Sequence, residues 1–312
     1  MSFNTPEKGF IGDYSIYRKE KPSITLAVKR NVVEPVLIRN SDPDRAETQE
    51  FGDQIHAQAN GEKFVSKERL TGLDLLRSLD EDGELISSDY KYNEPEDLET
   101  SLNLDVFSYG LAGTGDQTFA FKSHVIEGYT YTTDEYDLMN KETRNAVYES
   151  GTMRDEDGNQ SESLFEYVKV QPGNSFVHFI TIESGTPEML LYVLHNILNT
   201  EKYGARETRS GKNIDNEILA ITLGDHSTSL STGELLMNYD TENVEEAVEN
   251  YISDAQKADW EVFSDQLDFD ELPDWFQNMK DVASLQSEDS QERLKEELED
   301  FTEKAREVHN EA

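Results

Sequence analysis

Residues 176–198 read Phe176-Val-His-Phe-Ile-Thr-Ile-Glu-Ser-Gly-Thr-Pro-Glu-Met-Leu-Leu-Tyr-Val-Leu-His-Asn-Ile-Leu198. The aromatic and β-branched run 176–182 predicts a strand. Thr186 then caps a helix with Pro187 at its first position, and Leu190, Leu191, Val193, Leu194, Ile197 and Leu198 form its apolar face. After a loop rich in basic residues, 218–223 reads as a second strand. Strand, helix and strand joined by short connections make one half of a ferredoxin-like unit.

Upstream, Ile24, Leu26 and Val28 alternate as a strand, and 32–38 reads as its neighbour, with Pro35 marking a bulge or an edge. A polar stretch, 39–62, precedes a helix over 67–79, where Thr71 with Asp74 makes a capping-box-like start and Leu75, Leu76 and Leu79 form the stripe. These elements supply the other half of the unit, so the expected fold class is α+β.

Between the halves, residues 80–103 are acidic and poor in apolar side chains, an inserted finger-like loop. Residues 104–174 form a further insertion, with a β-rich stretch at 119–133. Gly110-Leu-Ala-Gly-Thr-Gly115 lacks the Lys-Ser/Thr ending of a phosphate-binding loop and reads as a glycine turn. From 240 to 312 there are 24 acidic and six basic side chains. Apolar positions still recur at helical spacing, at Val244, Ala247, Val248 and Tyr251, then at Leu294, Leu298, Phe301, Ala305 and Val308. The expected organisation is a palm with insertions over 1–252 and an acidic helical extension over 253–312, the extension being dispensable for gripping nucleic acid.

Asp and Glu outnumber Lys and Arg 66 to 28, a formal charge of −38 in 312 residues. At molar salt the screening length falls to about 3 Å and such self-repulsion becomes tolerable, which points to a salt-rich, halophilic cytoplasm. An acidic mimic of a partner is the competing reading; 10% aromatic content argues against disorder. There is no cysteine, so no disulfide and no thiolate metal site. The N-terminus lacks a signal-peptide pattern and no apolar run reaches membrane-spanning length, so a cytoplasmic protein is expected.

The few bases cluster in three islands. The first holds Arg18, Lys19, Lys21, Lys29, Arg30 and Arg39, and the second Lys63, Lys67, Arg69 and Arg77. The third is the loop after the Thr186 helix, where Tyr203, Arg206, Arg209 and Lys212 are interleaved with Gly204 and Gly211. Guanidinium forks, an aromatic face and close-approaching backbone suit a phosphodiester. Candidate contacts are therefore Lys29, Arg39, Lys63, Lys67, Arg69, Arg77, Tyr203, Gly204, Arg206, Arg209, Gly211 and Lys212; salt bridging to nearby carboxylates is the alternative use of the same charges. No His-Glu-x-x-His, Gly-x-Ser-x-Gly or Walker sequence occurs, so no catalytic residue, metal ligand or cofactor is assigned. His178 is expected in the core, and His195 in a structural role beside the basic loop.

Lys67-Glu-Arg-Leu-Thr-Gly-Leu-Asp-Leu-Leu-Arg-Ser-Leu79, Phe107-Ser-Tyr-Gly110, Gly151-Thr-Met153 and the block from Leu191 through Tyr203-Gly-Ala-Arg-Glu-Thr-Arg-Ser-Gly211 resemble the backbone subunit of type I-D CRISPR effector complexes. The likeness runs from about residue 22 to Asp240 and leaves the acidic extension outside. It implies a modified RNA-recognition (ferredoxin-like) palm with inserted fingers and a thumb. It also implies a subunit that polymerises along a CRISPR RNA as a helical filament, holds the guide for pairing with target DNA, and meets other type I-D subunits. Many relatives carry a cysteine cluster, resembling a zinc knuckle, just before the segment matching 107–110; residues 80–105 contain none. Two further expectations stay open: a metal-dependent nuclease acting on bound target, as in related type III backbone subunits, and an acidic protein-interaction module.

Overall fold

A computed structural model describes residues 3–17, 19–39, 46–80, 83–95, 97–114, 118–136, 141–145, 164–205, 211–228, 230–285 and 288–310. Its first half contains β1 (Ser23–Val32), β2 (Glu47–Phe51), β3 (Gln54–Asn60), α1 (Glu62–Leu79), α2 (Leu104–Tyr109), β4 (Leu111–Thr114), β5 (Thr118–Phe121), β6 (Val125–Glu127) and β7 (Tyr129–Tyr131). The remainder holds β8 (Lys141–Asn145), β9 (Leu164–Val168), β10 (Ser175–Glu183), α3 (Pro187–Asn199), β11 (Ile214–Gly224), α4 (Thr232–Asn238), α5 (Val244–Ala255), β12 (Glu261–Phe263), α6 (Asp274–Ala283) and α7 (Glu288–Asn310).

The main sheet is antiparallel, in the order β12-β11-β1-β10-β6. β1, α1, β6, β10, α3 and β11 follow one another as β–α–β–β–α–β. The helix of the quoted stretch begins as its residues dictate, with the Thr186 hydroxyl accepting from the Met189 amide and Pro187 in the first turn.

Side-chain alternation along β1 sorts the core into two layers. Ile24, Leu26 and Val28 face α1 and α3, while Ala27, with Val177, Phe179 and Leu219, faces α4 and α5. Both faces of the sheet are therefore covered. A third cluster at one end of the sheet joins Val32, Val36, Ile38, Phe64, Phe176 and Tyr203.

Several expectations are corrected. Residues 33–38 form no neighbouring strand; β1 pairs with β10 and β11, and only Val36 bridges, to Val170. The polar stretch 39–62 contains the β2–β3 hairpin, invisible to alternation because β2 is largely exposed. α1 starts at Glu62, so Thr71 lies mid-helix and its hydroxyl donates to the Lys67 carbonyl. Gly110 does turn the chain, at φ +74°, between α2 and the β4–β5 hairpin. Gly151-Thr-Met153 lies outside the described residues.

The expected boundary near residue 252 is not a break in packing. β12 extends the sheet beside β11, and Phe276, Met279, Val282, Leu294, Leu298 and Phe301 are buried in the same cluster as Ile24 and Leu26. The acid-rich 80–103 segment buries Leu85, Ile86, Tyr90 and Leu102. Arg306 on α7 holds that segment, donating to the Leu102 carbonyl at 2.9 and 3.0 Å and to the Glu84 carbonyl at 2.7 Å. Phe301 stands edge-on to Tyr14 and Phe107, with centroids 5.5 and 6.1 Å away. Phe301→Ala is therefore expected to lower stability by about 3–5 kcal/mol, read from the denaturant midpoint in molar potassium chloride. A chain ending at residue 252 should show no cooperative unfolding transition.

Candidate nucleic-acid interface

Arg30 continues the inward parity of Ile24, Leu26 and Val28, which places a guanidinium inside the protein. It has no solvent exposure, so its charge must be matched in place. Nη1 donates to Glu68 Oε1 at 2.5 Å, to Asn216 Oδ1 at 3.0 Å and to the Tyr203 hydroxyl at 3.3 Å, while Nη2 lies 3.2 Å from His178 Nδ1. The guanidinium sits 4.6 Å from the Phe64 ring centroid, a cation–π contact. Burial alone would lower the Arg30 pKa, but Glu68 and Tyr203 outweigh it and hold the group above its ordinary value. Burial and the adjacent Arg30 charge keep His178 neutral, well below the usual imidazole range.

Tyr203 closes this knot. Its hydroxyl donates to Glu68 Oε1 at 2.9 Å and accepts from Asn216 Nδ2 at 2.8 Å. The ring is 1% exposed, so the expectation of an aromatic face offered to a nucleic acid is corrected: Tyr203 anchors the basic loop from within. The next residues complete a hydrogen-bonded neck. Tyr203 and Asn213 exchange two hydrogen bonds at 2.9 Å, and the Ala205 amide donates to the Leu37 carbonyl at 2.8 Å. Gly204 has φ +75°, and a Cβ there would meet the Leu37 carbonyl oxygen at 2.5 Å, so the position requires glycine. Arg206 and Arg209, between the two sides of this neck, lie outside the described residues. On the return, Gly211 is exposed and open, and Lys212 is 2.7 Å from Asp215 and 3.8 Å from Glu201.

The remaining candidates divide. Lys29 is tied to Glu245 at 2.6 Å, with its side chain only 16% exposed. Arg39 is half-buried, and its Nε finds no acceptor among the described residues. Lys67 is half-buried on α1, and Arg77 is exposed in a loose 3.6 Å pair with Asp74. Lys63 and Arg69 come together in a hollow of about 460 Å³ beside Tyr92, Tyr109 and Glu127. Arg69 is already engaged there: Nη2 donates to Asp105 Oδ2 at 2.6 Å and Nε lies 3.2 Å from both carboxylate oxygens. Although burial disfavours its charge, the Asp105 carboxylate holds Arg69 above its ordinary range.

Glu127, not singled out by sequence reasoning, lines the same hollow, and its Oε2 is buried without a partner among the described residues. Burial, reinforced by the nearby Glu68 carboxylate, pushes it up to about 8. A lone glutamate in so acidic a chain carries no signal; only the structure isolates it. Of the histidines, His178 is in the core as expected. His195 is buried with Nδ1 2.9 Å from the Ala283 carbonyl, and burial pushes it down to about 4, a structural placement. Among the described residues no group of His, Asp and Glu has the geometry to hold a metal ion, and no helix is long and apolar enough to cross a membrane.

The model of the Csc2 CRISPR family matches residues 55–312. The chain belongs to the Csc2 CRISPR family. The match runs to the last residue, so the expectation that the acidic extension stands outside the likeness is corrected. The crystal structure of Thermofilum pendens Csc2 is similar, with 18% identity and a TM-score of 0.59, over 96% of this chain and 93% of that one. A chain of a CRISPR RNA-guided surveillance complex in a pre-nicking state is similar at 10% identity and a TM-score of 0.56, over 84% of this chain and 99% of that one. No curated protein matches the sequence.

Glu68→Ala strands the Arg30 charge and is expected to cost about 3–5 kcal/mol of stability, measured by denaturant titration; Arg30→Met combined with Glu68→Leu should recover part of that loss. Glu127 binds a proton more tightly folded than unfolded between pH 4.5 and about 8, so parental stability should fall as pH rises through that window. Glu127→Gln should flatten this decline and be the more stable protein at pH 8, as thermal melts across the pH series would show.

Proposed function

We propose that this member of the Csc2 family binds CRISPR RNA along its backbone and polymerises as the scaffold of a type I-D interference complex, presenting the guide for pairing with target DNA. The observation that carries the reading is the basic loop on its hydrogen-bonded neck. Tyr203, Gly204, Ala205 and Asn213 hold the two ends of a segment whose sequence includes Arg206 and Arg209. A subunit that serves every guide must grip phosphate and sugar and leave base edges free. Forked guanidinium groups can meet that need without reading sequence.

The β–α–β–β–α–β palm supports the same assignment with one modification. Its sheet offers no bare face, since α4 and α5 cover the side opposite α1 and α3. The strand therefore runs over the palm's end and its loops. The acidic surface belongs to a cytoplasm at high salt, where counterion release contributes little and short directional bonds retain more of their value.

Arg206→Ala with Arg209→Ala should weaken CRISPR RNA binding at least tenfold in molar potassium chloride with the thermal transition unchanged, because charge-assisted bonds are worth roughly 1.5–3 kcal/mol each. Equal affinity for parent and variant removes the loop from the interface. Assembly into a filament through a repeated heterologous contact should require RNA; size-exclusion chromatography that finds a closed dimer without RNA contradicts the scaffold reading.

A further inference from the structure

The hollow beside Glu127 shares Ser123 with a second one, of about 380 Å³, which the interface above does not use. The second hollow is walled by four rings. Phe121 and His124 are buried, and Tyr17 and His309 are half-buried. Tyr17 and Phe121 lie within 15° of parallel with centroids 6.4 Å apart, and Tyr14 stacks on Tyr17 at 4.8 Å. His309, near the end of α7, stands 5.6 Å from Phe121. His124 lies with Nδ1 2.8 Å from the Glu183 carbonyl, and burial keeps it neutral, so it acts as an aromatic wall rather than a cation. Core rings ordinarily close on one another at crystal-like density; a space of this size among aromatic groups falls within the range of small-molecule sites.

Charge at this hollow opposes the rest of the chain. Lys21 and Lys122, with side chains 60% and 78% exposed, converge on a single oxygen of Glu183 at 3.2 and 3.7 Å. Two ammonium groups on one carboxylate leave a positive charge uncompensated, in a protein of formal charge −38. Across Ser123, the neighbouring hollow adds Lys63, Arg69, Tyr92 and Tyr109. Rings and lysines thus flank Ser123 on both sides, although Glu62 and Glu127 also line the neighbouring hollow and Asp105 holds Arg69. Rings beside cations are the arrangement by which proteins hold single strands through stacking and backbone charge.

We propose that this second hollow holds one unpaired nucleotide, its base against the rings of Tyr17, Phe121 and His309 and its phosphate at Lys21 and Lys122. The choice of a nucleotide among aromatic anions rests on the function proposed above. The same chemistry has two sources, a free mononucleotide or one residue of a bound strand, and the test separates them.

The full-length protein and two variants, Lys122→Glu and Lys21→Ala combined with His309→Ala, are titrated in molar potassium chloride with adenosine 5′-monophosphate and with a 12-nucleotide single-stranded RNA. A parallel sample carries 4-thiouridine in the RNA for photo-crosslinking and peptide mapping. Lys122 is highly exposed, so its substitution leaves folding intact. Both variants should bind at least tenfold more weakly to one probe. Loss of the mononucleotide assigns a free-nucleotide site; loss of the RNA, with crosslinks at Tyr17 or Phe121, assigns a subsite of a strand. Unchanged affinity for both probes in Lys122→Glu overturns the proposal. If the parent binds no RNA at all, the proposed function falls, and the mononucleotide titration alone decides the hollow. Arg206→Ala with Arg209→Ala should leave mononucleotide binding at the parental value, which separates the two sites.

Discussion

The Arg30–Glu68 ion pair is the interaction on which one end of the main sheet depends. A buried guanidinium is tolerable only when its charge is matched in place, and here both terminal nitrogens are engaged while Nε finds no acceptor among the described residues. The partners come from α1 through Glu68, from β10 through His178, from β11 through Asn216 and from the basic loop through Tyr203. One buried charge thus fixes four pieces of chain relative to β1. The loop that carries Arg206 and Arg209 owes its footing to a cation that itself never meets solvent. Burial makes such a pair a weak source of net stability and a strong source of uniqueness, since any rearrangement that separates it leaves a bare charge.

The same accounting applies to other basic residues. Lys29, Arg69 and Lys212 each meet a carboxylate within 2.7 Å, as expected where acids outnumber bases so heavily. Arg69 is a structural strut between α1 and α2, with Tyr92 and Tyr109 beside its guanidinium. Where two cations share one carboxylate, the local balance of charge is reversed. The pair formed by Lys21 and Lys122 over Glu183 is one such place.

The strand–helix–strand run at 176–223 was legible because its apolar residues follow the periods of strand and helix and its helix start carries Thr186 and Pro187. The β2–β3 hairpin was not, since β2 presents mostly exposed side chains and alternation has nothing to report. The acidic C-terminal region misled by composition. Its charges occupy outer helix faces while Leu294, Leu298 and Phe301 are buried with the palm, and a stripe shows that a helix packs without showing on what. Tyr203 illustrates a different limit. Aromatic residues beside arginines suit a nucleic-acid loop, but whether a ring turns outward depends on Asn216, Glu68 and Arg30, which only the tertiary structure brings together. Arg30 carried a usable signal, its shared parity with Ile24, Leu26 and Val28.

α7 joins the opening and closing segments of the chain: Phe301 meets Tyr14 near the start, and Arg306 ties down carbonyls at Glu84 and Leu102. Among the described residues β1 likewise pairs with β10 and β11, both far along the sequence. The first half alone therefore has a central strand without its β10 and β11 partners and an apolar surface that later segments cover. Contacts so distant in sequence make for slow closure and an aggregation-exposed interval. A formal charge of −38 opposes that exposure, since copies of the chain repel one another.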